Sequence, residues 1–296
     1  MKKSIDYNTK EEVLIEALPY IQTYEGKTFV IKYGGAAMTD DSLKETFAKD
    51  VTILRKIGIN IVIVHGGGKD ITGVAEKLGI KTTFVNGQRY TDKNMMGVVL
   101  MVLAGSVNKE IVSLVNANGG NAVGLCGVDN TLLRARRQSH NGTDLGLVGD
   151  VVSVNVAFLQ LLQQNGMMPV IAPVAVGDQG ELLNVNADLG AAAVAKALKA
   201  EKLVYLSDVE GIIVGGNRVS TLTRSEADRL IAAGSIFGGM IPKIQSAFTT
   251  LDAGVNKVHI VDGRIKHSLL LEIFTDEGIG TQMIHNGDSA RTGSET

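Results

Sequence analysis

Two lysines sit in glycine-rich runs near the amino terminus, Lys32 in VIKYGGAAM and Lys69 in VIVHGGGKDI. In each run the glycines, Gly34-Gly35 and Gly66-Gly67-Gly68, follow a β-branched stretch and precede a helical pattern. Without a Cβ, such a loop lets backbone N–H groups close on an anion beside a helix N-terminus, and a lysine adds compensating charge. That equipment suits a phosphate. Each loop also has a plainer reading, as a tight strand-to-helix turn flanked by a solvated lysine. Neither run is a standard nucleotide fingerprint: HGGGKDIT lacks the G-x-x-x-x-G-K-[ST] spacing, and no G-x-G-x-x-G follows a strand. A kinase H-R-D with D-F-G is also missing. Phosphoryl transfer would therefore use another structural class, and a nicotinamide-dependent dehydrogenase is disfavoured. His65 reads as a hydrogen-bonded strand-end histidine, and Cys126 as a small buried hydrophobe.

The elements that must position these residues alternate. TFVIKY (28–33) and INIVIVH (59–65) read as strands, with helices near 42–56 and 71–78. A long helix is predicted over 93–118, stopped by Gly119-Gly120. NAVGL, a hairpin-like pair LLRARR and LGLVGDVVSV, and MPVIAPVAV read as further strands. An alanine-rich helix over 189–198 then leads into KLVYLSDV and a second α/β unit. This βαβα order implies an α/β fold with a mostly parallel sheet covered on both faces, and ligands at the strand carboxyl ends. The expected division is a helical arm at 1–26, one lobe at 27–180, a second at 181–285 and a disordered tail at 286–296. In the arm, Leu14, Ala17, Leu18 and Ile21 form an amphipathic stripe, Thr9 with Glu12 suggests a capping box, and Pro19 should kink or break the helix. The arm either binds a partner or packs on its own lobe.

The chain has 296 residues, 45% apolar and 20% charged, enough for a sizeable core, and a formal net charge of -2 gives no footprint for nucleic acid or an anionic membrane. One cysteine excludes an internal disulfide framework and fits a reducing, cytoplasmic compartment. Neither an export signal nor a spanning segment of roughly 18 uninterrupted apolar residues is read.

Six strings in order, VIKYGGAAM, VIVHGGGKDI, NGQRYTD, LLNVNAD, LSDVEGI and GGMIPKI, resemble the amino acid kinase family over about Thr28 to Ile284. Within it they resemble the branch that phosphorylates N-acetyl-L-glutamate. The resemblance implies a two-lobed, three-layer αβα sandwich, ATP with Mg2+ carried by the nucleotide, and an acylphosphate product in arginine biosynthesis. By position, Lys32 and Lys243 resemble the lysines that stabilise the transferring phosphoryl group, and Asp188 the carboxylate that holds them. Gly35, Gly67 and Gly68 resemble backbone donors. Arg89 resembles the partner of a substrate carboxylate, and Asn184 and Asn186 offer amides to the substrate. Asp208, Val209, Glu210, Gly211, Ile212 and Ile213, with Ser235, Ile236 and Phe237, resemble the nucleotide lining. No metal ligand is expected from the protein. A carboxylate nucleophile, ionised at neutral pH, needs no general base.

Both chain ends resemble the arginine-sensitive type. His259, Glu272 and Gly278 match its inhibitor site, with Lys202 and Tyr24 as further candidates. The resemblance also implies a hexamer built as a trimer of dimers, and a nitrogen-signalling protein as a partner. Two turns depart from the family pattern, Val214-Gly215-Gly216-Asn217 and Gly127-Val128-Asp129, and neither receives a role. Within the family, kinases of aspartate, glutamate, carbamate or UMP are the nearest alternatives. A non-catalytic binding protein on this fold would be expected to lose Lys32, Lys243 or Asp188, and all three are present.

Overall fold

A computed structural model describes residues 7–85, 87–140, 143–238, 240–275 and 278–287. Its centre is one eight-stranded sheet. From edge to edge the strands are Thr221–Thr223, Thr281–Ile284, Lys257–Asp262, Lys202–Ser207, Thr28–Tyr33, Asn60–His65, Met168–Ala172 and Ala122–Cys126. All neighbours are parallel except Lys257–Asp262 with Thr281–Ile284. Alternate residues of each strand enter different cores: Phe29, Ile31, Ile61 and Ile63 on one face, Val30, Val62, Val64 and Leu203 on the other. Burial on both faces explains the near-continuous β-branched runs and gives the expected three layers. The four strands from before residue 180 meet the four from after it where Thr28–Tyr33 pairs with Lys202–Ser207.

The predicted hairpin is present as Leu133–His140 with Thr143–Val154, and it belongs to a small closed barrel with Val174–Val176 and Leu182–Asn184. Leu182–Asn184 pairs antiparallel with Val174–Val176, so the segment just after residue 180 is hydrogen-bonded to the first half. The long helix runs Lys93–Ala117 and ends where Gly119 turns at φ +80°, as its Gly-Gly stop required. It contains a π-helical turn, Met101–Val107, which periodicity does not disclose. By length and composition this helix could cross a bilayer, but Met95, Val99, Leu103, Ile111 and Val115 are packed into one core.

The amino-terminal helix spans Tyr7–Tyr24, so neither a break at Pro19 nor a start at Thr9 is seen. It continues through Pro19. The carbonyl deprived of its donor is that of Ile15, itself 63% exposed, so water can replace the lost bond. Thr9 lies inside the helix rather than capping it, because the helix is already formed at Tyr7, and threonine inside a helix costs only tenths of a kcal/mol. Tyr24 is buried edge-on against Phe29, with ring centroids 5.2 Å apart, so the end of the arm packs on its own sheet. Of the expected tail, 288–296 lie outside the described residues.

Candidate active site

Both glycine loops lie at carboxyl ends of adjacent central strands, and Gly66 N–H donates to the Tyr33 carbonyl at 2.8 Å, joining one loop to the other. Gly35 has φ +72°, and a Cβ there would collide with the Asp208 carboxylate. That carboxylate accepts from Ala36 N at 2.5 Å, which ties the first loop to the strand end on the far side of Thr28–Tyr33. Here the direction of travel from Thr28–Tyr33 divides, to Asn60–His65 on one side and Lys202–Ser207 on the other, which is where open α/β sheets bind ligands.

Lys32, near the end of the central strand, forms an ion pair with Asp188 at 3.0 Å. Asp188 stands in the first turn of the helix Ala187–Leu198, which Asn186 caps by accepting from Asp188 N at 2.9 Å and Leu189 N at 3.2 Å. Lys243 is partly buried in the helix Met240–Asp252. Burial lowers its pKa, Asp188 pulls it back up, Lys32 lowers it again, and Asp208 raises it. Lys32, Lys243, Asp188 and Asp208, remote from one another in the chain, therefore share one electrostatic neighbourhood.

A cavity of about 210 Å³ opens beside them, lined by Gly66, Gly67, Gly68, Phe84, Arg89, Asn184, Asn186 and further apolar side chains. Arg89 ends the second strand of a hairpin, Phe84–Val85 with Gln88–Arg89, and is 7% exposed. Its guanidinium donates to Gly68 O at 2.8 Å, Thr72 Oγ1 at 2.9 Å and Thr82 Oγ1 at 3.3 Å, and stacks 4.9 Å from the Phe84 ring centroid. Burial lowers its pKa, yet arginine keeps its charge far above neutral pH. Asn184 Nδ2 donates to Thr91 Oγ1 at 3.2 Å, and Thr91 is fully buried. Thr91 bridges the Arg89 hairpin to the barrel through Leu145 and Leu147.

Thr72, Thr82 and Thr91, which hold these side chains, drew no attention in the sequence. Thr91 lay inside NGQRYTD, but its burial depends on contacts remote in the chain. The cavity brings together Gly67, Gly68, Arg89, Asn184 and Asn186, with Lys32, Asp188, Lys243 and Gly35 around the adjoining strand ends. Of the expected nucleotide lining, Asp208 reaches the glycine loop directly, whereas the Ile212 and Ile236 side chains lie in the core and Phe237 is 76% exposed. Val209, Glu210, Gly211 and Ile213 form the turn and strand after Ser207, and Ser235 follows the helix Arg224–Ala232.

His65 is buried below the second loop. Its Nδ1–H donates to Gly66 O at 2.8 Å, and Nε2 accepts from Asn108 at 3.2 Å. Burial lowers its pKa to about 4, so it is neutral at pH 7. Cys126 is buried with its thiol directed at Val174 O, and burial raises its pKa. Neither has the setting of a catalytic acid or nucleophile.

On the opposite face of the sheet, Tyr24, Lys202, His259 and Glu272 line a narrower cavity with Tyr20, Lys257 and Gln282. Glu272, 2% exposed, takes His259 Nδ1 at 2.8 Å on one oxygen and the Ile279 and Gly280 N–H groups, both at 2.8 Å, on the other. Lys202 Nζ lies 3.4 Å from His259 Nε2 and over the Tyr24 ring. Gly278 is nearby in chain, but its carbonyl accepts from Arg218 at 3.2 Å.

Glycine loops and two lysines gathered at the central strand ends of a mostly parallel sheet form an arrangement suited to holding phosphates. The amino acid kinase family model matches residues 27–262, and the chain belongs to that family. It is a kinase. It is 54% identical over 283 residues to an acetylglutamate kinase of Chlorobaculum tepidum, covering 96% of this chain and 99% of that one. Its fold is similar to N-acetylglutamate synthase from Neisseria gonorrhoeae complexed with coenzyme A and N-acetyl-glutamate, with TM-score 0.84, 30% identity and 94% of this chain covered. The same synthase complexed with coenzyme A and L-arginine gives TM-score 0.77 at 29% identity over 93% of this chain. The chain spans 64% and 65% of the synthase's length in these two structures.

Proposed function

We propose that the chain transfers the γ-phosphoryl group of ATP to the side-chain carboxylate of N-acetyl-L-glutamate, giving N-acetyl-L-glutamyl 5-phosphate for arginine biosynthesis. The observation that carries this is the Arg89–Asn184 cavity opening beside the Lys32–Asp188 pair and Lys243. The Arg89 fork suits the α-carboxylate, and Asn184 the acetamido end. A carboxylate oxygen attacks the γ-phosphorus, the bond to the β,γ-bridging oxygen breaks, and its electron pair leaves with ADP. No proton moves. Lys32 and Lys243 neutralise charge on the transferring group, Gly35, Gly67 and Gly68 offer N–H donors, and Asp188 orients Lys32. Mg2+ would be carried in by the phosphates of ATP. Asp208 to Ile213 and Ser235 to Phe237 line the nucleotide. Kinship with acetylglutamate kinases supports the choice of acceptor.

ADP release with a panel of acceptors tests the reading. N-acetyl-L-glutamate should be preferred by a wide margin, and comparable turnover of glutamate, aspartate or UMP would overturn it.

Regulation extends the same reading. Arginine inhibits by binding among Tyr24, Lys202, His259, Glu272 and Gly278, where the Glu272 carboxylate suits a guanidinium. The exposed Ile15 and Leu18 of the amino-terminal helix support its use in joining dimers into a hexamer, a trimer of dimers, in the cytoplasm. A nitrogen-signalling protein would act on that assembly. Removing residues 1–26 should leave kinase activity, abolish arginine inhibition and reduce the assembly to dimers by light scattering. A full-length enzyme that is dimeric and indifferent to millimolar arginine would sink the regulatory part alone.

A further inference from the structure

We propose that Arg218 is a positioning residue for the nucleotide, locking the turn at 208–211 to the segment 278–281 on which Glu272 is anchored. This rests on reading 208–213 as nucleotide-lining.

After that turn the chain forms a short ribbon, Ile212–Val214 with Asn217–Val219, closed by Gly215 at φ +59° and Gly216 at φ +83°. Two positive φ values make a turn that glycine adopts without strain and that matches strand twist, which accounts for the Gly-Gly where the family pattern differs. A two-stranded ribbon of this length is not stable in water by itself. Its position must come from what it is tied to.

Two ties are present. At its base, Thr281 Oγ1 accepts from Ile212 N at 2.8 Å and donates to Val219 O at 2.6 Å. Further out, the Arg218 guanidinium donates to Ile279 O at 2.7 Å and Gly278 O at 3.2 Å, and these bonds are charge-assisted. The Arg218 stem also covers Gly211, since a Cβ built there would lie 3.5 Å from Arg218 Cγ. The peptide groups that Arg218 grips by their carbonyls are held from the other side by Glu272 through Ile279 N and Gly280 N. The turn is thus fixed at one end by Arg218 and Thr281, and at the other by Asp208 on Ala36 N in the glycine loop. Arg218 itself lies in an exposed stretch, so its contribution is placement rather than core packing.

Arg218→Ala should raise the KM for ATP about ten-fold, the effect of losing a charged hydrogen-bonding group. The KM for N-acetylglutamate should change by less than about two-fold, and kcat at saturating ATP by less than about three-fold, if only placement of the turn is lost. Arg218→Lys should recover part of the loss, because an ammonium cannot offer the planar fork that reaches both carbonyls. Amide hydrogen exchange should quicken over 212–219 and remain unchanged over 60–65. A merely structural role would raise both KM values together and loosen both regions, which would overturn the proposal, as would an unchanged KM for ATP. If Arg218→Ala fails to fold, Arg218→Lys and ADP calorimetry on it carry the same comparison. A wild-type enzyme that does not use ATP sinks the nucleotide reading, whereas one that uses ATP and is indifferent to Arg218 sinks only this inference.

Discussion

The Lys32–Asp188 site and the Lys202–His259–Glu272 cavity are built from the same residue types, a lysine on a strand of one sheet and a carboxylate on a helix beside it. Lys32 is in register with Tyr205 and Lys202 with Phe29, so the two lie about three residues, or roughly 10 Å, apart along the strands and on opposite faces. Their surroundings differ. Asp188's side chain is 37% exposed, and two lysines share it. Glu272 is buried and takes partners on both oxygens. A site proposed to take the anionic phosphates of ATP needs its cations near water, and Lys32 and Lys243 stand beside Asp188 and Asp208 at the open strand ends. A site whose charges are matched within the protein serves structure until a ligand exchanges partners with it. Residue type alone does not separate the two; burial and partner count do.

The largest expected effect follows at the buried end. Glu272→Ala leaves His259 and two backbone N–H groups without their acceptor, and should cost about 3–5 kcal/mol of stability by urea melts, the usual consequence of removing one partner of a buried pair. Asp188→Asn, in the half-open pair, should cost under about 1 kcal/mol while lowering kcat. Equal stability losses would erase the contrast.

Next come the lysines. Lys32→Ala and Lys243→Ala should each lower kcat by at least about 100-fold, with smaller changes in substrate binding, because their charge matters most in the transition state. Near-normal turnover in a folded variant would remove that lysine from the chemistry. Lys32→Arg is the finer probe, since a planar fork does not replace a compact ammonium against the glycine loop. A third step concerns the cavity wall: Arg89→Ala should raise the KM for N-acetylglutamate by roughly 10–100-fold and that for ATP far less. Equal effects would place Arg89 elsewhere.

Local pattern made part of this legible. Thr28–Tyr33 and Asn60–His65 were readable as strands, and the Gly119 stop as a helix end, because each depends on its own residues. The glycine loops suggest an anion site, but the bond from Ala36 N to the Asp208 carboxylate, 172 residues apart, has no local signature. The Leu182–Asn184 strand is too short to carry a period, and it exists because the barrel offers two partners. Pro19 misled for the complementary reason: the rule for proline describes the lost bond, whereas exposure at Ile15 decides what that loss costs. Tyr24 and Lys202, weak as sequence matches, lie together because the arm ends on Phe29.

The two regions each bury a histidine, and these offer the mildest test. His259 faces a carboxylate and a lysine, whereas His65 is hydrogen-bonded to the Gly66 carbonyl and the Asn108 amide and lies within reach of the Lys109 charge. Burial lowers the His65 pKa to about 4, against an ordinary 6.5. Between these values the unfolded chain binds a proton that the folded one refuses. Stability from this group is therefore complete above about pH 6.5 and declines as pH falls towards 4. From pH 7.5 to 5.5 the loss should be on the order of 1 kcal/mol. Asp50 works in the opposite sense. Burial raises its pKa to about 6, partly offset by His267 at 2.7 Å, so the folded chain binds protons more readily between about 3.8 and 6, and stability is gained as pH falls through that window. Wild-type melts alone would show the two partly offsetting each other. The difference between wild type and His65→Gln isolates the histidine: glutamine keeps a donor for Gly66 O but does not titrate, so the stability gap between the two proteins should narrow by on the order of 1 kcal/mol on going from pH 7.5 to 5.5. A gap that stays constant would mean that His65 accepts its proton as readily folded as unfolded, and the floor of the substrate loop would then carry charge, contrary to the division between an open charged rim and a neutral support.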